Sequence, residues 1–182
     1  GAERGTAAAG TAVYEIGFLM SQLPHGVVTV SLATALIPTL SALAADSQIE
    51  ELIHQLSGSL RLVLALVAPL AVATAILGPT AVRAVGFGGI RTNAEVIGMT
   101  LAAFAPAMIA FPIHYLALRA FYSMENTRTP FLIQIVVAAT NVATAILLST
   151  LVRPAHVSLA LALAFDAAYL VGACLAVALL PG

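Results

Sequence analysis

Asp166 lies near the centre of an otherwise apolar stretch, Val157 to Leu180. If that stretch crosses a bilayer, a charged carboxylate there costs about 2.5 to 3.5 kcal/mol on insertion scales, so Asp166 is expected to be protonated, paired or beside water. Two roles fit. It faces a polar cavity in a transport or coupling role, or it stays neutral and hydrogen-bonds a neighbour such as Asn141 or Gln134. Glu15, Gln22 and His25 make a second group. Gln22 and His25 are three apart and Glu15 is seven before Gln22, which puts all three on one face of a helix. A polar stripe of this kind suits the wall of a solvated cavity. Its structural alternative places Glu15 at the headgroup level, with His25 bonding a carbonyl released by Pro24. His114, beside Tyr115 near the end of an apolar run, reads as interfacial.

No stretch matches HExxH, GxSxG or a phosphate-binding loop, and no cluster has metal-ligand spacing. Neither a catalytic centre nor a cofactor is therefore expected. The single cysteine, Cys174, supports neither a disulfide nor a cysteine metal site. Hydrophobic residues make up 61% of the 182 positions and charged residues 8%, with a mean hydropathy of +1.05. Soluble domains carry roughly 25% charged residues, so lipid is the expected solvent. All seven basic residues are arginines and the net charge is -1, which leaves no footprint for nucleic acid.

The elements that must position these residues follow from the charge-free runs. They give an all-α, polytopic membrane helix bundle with five spans, about residues 11–43, 61–83, 95–118, 130–152 and 156–180, treated as one transmembrane region over 1–182. Pro24, followed by Gly26, should bend or open the first span near Leu23 to Gly26. Between the first two spans, Ile49, Leu52, Ile53 and Leu56 share one face, opposite Glu50, Glu51, His54 and Gln55. This predicts a short amphipathic surface helix over 46–56, opened by a capping box from Ser47 to Glu50. Gly78-Pro79 is expected to close the second span, and Gly86-Phe87-Gly88-Gly89 to form the next turn. The third span carries Pro106 and Pro112, and the last lines Ala160, Ala164, Ala168, Gly172 and Ala176 along one face, where another helix can approach closely. Arginines divide four against three between the two membrane sides, which leaves orientation undecided. The opening Gly-Ala-Glu-Arg-Gly and the closing Leu-Pro-Gly suggest a piece of a longer protein.

Two stretches resemble a known family. Leu23-Pro24-His25-Gly26-Val27-Val28, continuing through Ala33-Thr34-Ala35-Leu36-Ile37-Pro38-Thr39-Leu40-Ser41, is similar to the LPxG and LPxLS helix of the MurJ/MviN lipid II flippases. Arg119 to Pro130, reading RAFYSMENTRTP, resembles that family's RaFYaxxDTrTP loop, with Asn126 where an aspartate is usual. Leu60-Arg61-Leu62 followed by Pro69 keeps the spacing of its LRL helix. The resemblance implies spans eight to twelve of a fourteen-span exporter of the multidrug/oligosaccharidyl-lipid/polysaccharide superfamily, in the bacterial plasma membrane, with the N-terminal lobe outside this chain. It implies passage of an undecaprenyl-diphosphate-linked peptidoglycan precursor by alternating access, with the lipid bilayer, that precursor and the other lobe as partners. It would place the 44–57 and 119–130 regions in the cytoplasm. Two further positions depart from the family pattern: Leu19 stands where an arginine usually meets the diphosphate, and Asp166 near the position where an amide is usual. The expected function is thus that of a flippase segment. A non-transporting structural or partner-binding module, and an exporter of another lipid-linked sugar, are the alternatives; an intramembrane enzyme using His114 or Asp166 has the least behind it.

Overall fold

The computed structural model describes residues 2–86 and 88–181, with side chains from Gly10 onward except Phe87, Ala155 and Gly182. All regular structure among them is helical. Helix α1 spans Ala2–Pro24, a five-residue π turn spans His25–Thr29, and α2 spans Val30–Ala45. Long apolar α3 (Ile49–Val85) and a short α4 (Gly89–Thr92) come next. Then α5 (Ala94–Ala103) and α6 (Ala105–Ser123) meet at a bend of 41°. Helix α7 covers Arg128–Leu151, and a 3₁₀ turn at Pro154–His156 leads into α8, Val157–Ala178. Four apolar helices are long enough to cross a membrane, and the bent α5–α6 pair makes up to five spans.

Prolines set the shape of these helices, with differing results. Pro24 has no N–H and its ring crowds the carbonyl one turn back. Helix α1 runs through to Pro24 and the turn directly after it is widened: the Val30 N–H donates to the His25 carbonyl, five residues back, so the span opens without stopping. At Pro106, in the first turn of α6, the same effect breaks the helix and the chain turns. The expected close at Gly78-Pro79 does not occur, because α3 runs on to Val85. There α5 lies backbone against backbone: a Cβ on Gly78 would sit 2.5 Å from the Gly98 carbonyl oxygen, and one on Gly98 would overlap Pro79 itself. Packing this close compensates for the lost helical hydrogen bond.

The separate surface helix over 46–56 is likewise corrected. Residues from Ile49 are the first turns of α3, and the capping box does not form because Ser47 adopts φ 58° outside the helix. Ser47 instead closes α2: its N–H donates to the Ala44 carbonyl, and the Gln48 N–H donates to the Leu43 carbonyl. These two bonds satisfy carbonyls that a helix end leaves unpaired. The α6 terminus repeats the device at Glu125 (φ 57°), with Glu125 N–H to Tyr122 and Asn126 N–H to Phe121. Phe87 of the glycine-rich turn lies outside the described residues.

Helix α6 is central. One side packs with α2 and α3 around Ala33, Leu40, Leu56, Val63, Val67 and Leu116; the other packs with α7 and α8 around Ala117, Phe121, Ile133, Val137 and Ala168. A third cluster joins Val82 of α3, Ile97 and Leu101 of α5, and Ile16 of α1. Leu52 and Leu56 are buried, so the apolar face expected on 46–56 rests on protein. The small-residue face of α8 is buried throughout, from Ala160 to Ala176. Leu66, Leu70 and Ile76 of α3, with Ile146 and Leu151 of α7, face outward and leave an exposed apolar surface.

Candidate substrate-facing site

The opened turn at Pro24 displays the α1 polar residues. Gln22 and His25 are half-buried and line a hollow of about 10 Å³ with Phe111 of α6 and Phe165 of α8. The His25 ring meets Phe111 edge to face at 4.3 Å and Tyr115 at 5.0 Å. Its Nδ1, and the Oγ1 of Thr29 in the π turn, are buried without a protein hydrogen-bond partner. Glu15 is brought to neither: it is exposed on the outer side of α1, as is Leu19 at 64%.

Of the seven phenylalanines and four tyrosines in the chain, Tyr14, Phe18, Phe104, Phe111, Tyr115, Phe165 and Tyr169 form one connected wall. Three helices supply six of these residues, through the pairs Tyr14/Phe18, Phe111/Tyr115 and Phe165/Tyr169, and Phe104 joins them from the α5–α6 break. Each pair is spaced by four, so its rings lie along one helix face, stacked in Tyr14/Phe18 and Phe111/Tyr115 and tilted by 41° in Phe165/Tyr169. The wall closes the junction of α1, α6 and α8 beside His25 and ends at Arg119, whose guanidinium lies 4.6 Å over the Tyr115 ring and donates to the Tyr115 hydroxyl.

Asp166 follows Phe165 on α8 and is only 4% exposed. Its Oδ1 accepts the Ala107 N–H at 3.0 Å, across to the first turn of α6. The α5–α6 break deprives that N–H of its helical acceptor, so Asp166 caps α6 from another helix. Neither Asn141 nor Gln134, the neighbours weighed from sequence, is its partner in this bond. Ala107 also borders the hollow beside Gln22 and His25, which brings three of the four sequence candidates to one locality.

His114 corrects its interfacial reading, being 3% exposed and inside the bundle. Its Nε2 is 3.2 Å from the Gln134 side-chain oxygen of α7, and a Cβ on Gly172 would lie 3.0 Å from its Nδ1. Glycine on α8 leaves room both for this ring and for Val137 of α7, whose Cγ2 would lie 2.6 Å from the same Cβ. Beyond it a groove of about 590 Å³ opens between α6, α7 and α8, with Arg119, Tyr122, Thr127 and Phe131 near its mouth. From sequence, Arg119 enters only the charge balance and the family-like 119–130 loop, and the aromatic wall carries no role. The three four-spaced aromatic pairs were the available signal.

Fold and site define a multi-pass helical membrane protein whose spans are opened or bent at prolines, with its polar groups gathered at the openings. The chain belongs to the lipid II flippase MurJ family, whose model matches residues 5–181, and is a multi-pass protein of the bacterial inner membrane. It is 31% identical over 145 residues to a probable lipid II flippase MurJ of Rhizobium tropici, covering 79% of this chain and 27% of that protein. A second relative, from Rhizobium meliloti (strain 1021), is 30% identical over 129 residues, covering 70% of this chain and 24% of its own length. Among solved structures, lipid II flippase MurJ in an inward closed conformation superposes with a TM-score of 0.78 at 20% identity, over 92% of this chain and 35% of that one. The chain thus spans about a quarter of the curated relatives it matches.

Proposed function

We propose that this chain forms part of a flippase that carries lipid II, an undecaprenyl-diphosphate-linked peptidoglycan precursor, across the membrane by alternating access. Family membership over 5–181 carries the reading. The physical support is the opened α1–α2 span, which sets Gln22 and His25 beside an aromatic wall that can slide past a bulky amphipathic cargo. Gln22, His25 and Glu15 line the path on α1. Asp166 positions the wall by holding the start of α6. The second lobe stands across the path from the exposed side of the first span, where Leu19, Leu23 and Val27 are 64, 64 and 70% exposed. Transport of this kind needs no catalytic residue and no cofactor. In this topology the α2–α3 turn and the α6–α7 loop face the cytoplasm.

The test is translocation of fluorescent lipid II by the full-length protein in proteoliposomes. A Gln22→Leu, His25→Leu double variant is expected to slow translocation at least fivefold while the protein remains folded; an unchanged rate contradicts the reading. Leu19 favours one second reading, since the family arginine is missing there: a different lipid-linked sugar diphosphate is the cargo. Faster translocation of such a lipid than of lipid II in the same vesicles would select it.

A further inference from the structure

The groove between α6, α7 and α8 holds a cation with no counter-charge. Arg119 is half-buried, one turn from the end of α6, and among the described residues no carboxylate lies within ion-pairing distance of it or lines the groove. Its bonds go to Tyr115, which accepts one hydrogen bond and offers its ring face. A guanidinium has five N–H donors in a planar fork, so most remain for a ligand. The mouth of the groove also reaches Thr127 and Pro130, at the N-terminal turn of the 24-residue helix α7, whose dipole favours an anion. Phe111, Leu118 and Phe131 supply its apolar walls. About 590 Å³ is within the range of ligand sites. A fixed cation at the end of a span, a helix N-terminus beside it and an apolar trench leading away are together complementary to phosphate carried on hydrocarbon chains.

We propose that this groove binds the phosphate of a lipid, with Arg119 as its principal contact and the acyl or prenyl chain along Phe111, Leu118 and Phe131. The site is separate from the α1 position occupied by Leu19, and it stands whether or not the chain transports lipid II. Two sources carry this chemistry: an anionic phospholipid of the bilayer and a prenyl diphosphate.

The experiment measures equilibrium binding of fluorescent phosphatidylglycerol to the full-length protein in neutral-detergent micelles, with phosphatidylcholine as the uncharged comparison. Wild type is expected to prefer phosphatidylglycerol. Arg119→Gln should weaken that binding about tenfold, the worth of one charge-assisted contact. Arg119→Lys should retain part of it, and Arg61→Gln, an exposed arginine on α3 outside the groove, should leave it intact. Tyr115→Phe keeps the ring and releases the guanidinium, so binding at least as tight as wild type supports the site even where Arg119→Gln fails to fold. Competition with undecaprenyl diphosphate identifies the source: displacement of phosphatidylglycerol assigns the prenyl diphosphate to the groove, and its absence assigns the phospholipid. Equal affinity of wild type for the two phospholipids, or unchanged binding in a folded Arg119→Gln protein, overturns the proposal. Loss of phosphate binding with undiminished lipid II translocation leaves the groove assigned and separates it from the transport path.

Discussion

The Asp166 carboxylate on α8 accepts the Ala107 N–H at 3.0 Å, so the start of α6 is held by a residue about sixty positions further along the chain. An amide oxygen accepts the same bond. Asp166→Asn is therefore expected to keep the melting temperature of the detergent-solubilised full-length protein close to that of wild type. Asp166→Leu leaves the N–H buried and unpaired, which costs about 1 to 3 kcal/mol and lowers it. Equal melting of the two variants would show that the bond does not position α6.

The contact of Gly98 with Pro79 admits no side chain, since the atoms in the way are backbone. Gly98→Ala should destabilise by about 1 to 3 kcal/mol through overpacking. At Gly26, where a Cβ meets nothing within 4 Å, alanine should not have this effect. Thermal unfolding of the two variants side by side reads the difference.

Much of the fold was legible because lipid simplifies the pattern: a charge-free run long enough to span has few alternatives to a helix. The break at Pro24 was legible as well, since a proline within an apolar run must displace its preceding turn. Junctions were harder. Ser47 reads as a capping serine until the Leu43 and Ala44 carbonyls claim the N–H groups of Gln48 and Ser47, and Gly78-Pro79 reads as a stop until Gly98 is seen against it. Both outcomes depend on residues distant in sequence or on backbone geometry that composition does not carry. At the site, Gln22 and His25 could be paired by spacing alone. Asp166 could not be matched to Ala107, because its acceptor role arises only where α5 and α6 part.

Asn126 illustrates how a departure from a family pattern can be absorbed. Its Oδ1 accepts the Thr129 N–H at 3.1 Å and its Nδ2 donates to the Thr129 hydroxyl at 2.9 Å, which caps the first turn of α7. Asn126→Asp should preserve the backbone bond and cost little. Asn126→Ala should cost about 1 kcal/mol, measured by denaturation of the full-length protein, and matching values for the two would remove the capping role.

Ala168 is fully buried on the small-residue face of α8, beside Ala117 and Phe121 of α6 and Val137 of α7. Ala168→Leu is expected to push these helices apart, at about 1 to 3 kcal/mol. Fluorescence-detected size exclusion of the heated protein reads the loss; an unshifted transition would mean that close approach is not required there.

The transport path itself is tested most directly by chemical access. In full-length protein with Cys174 replaced by alanine, Leu19→Cys, Gln22→Cys and His25→Cys are expected to react with a membrane-impermeant thiol reagent, with lipid II slowing the reaction. Cysteines at these three positions that stay unlabelled from both sides of the membrane, with and without lipid II, would contradict the account.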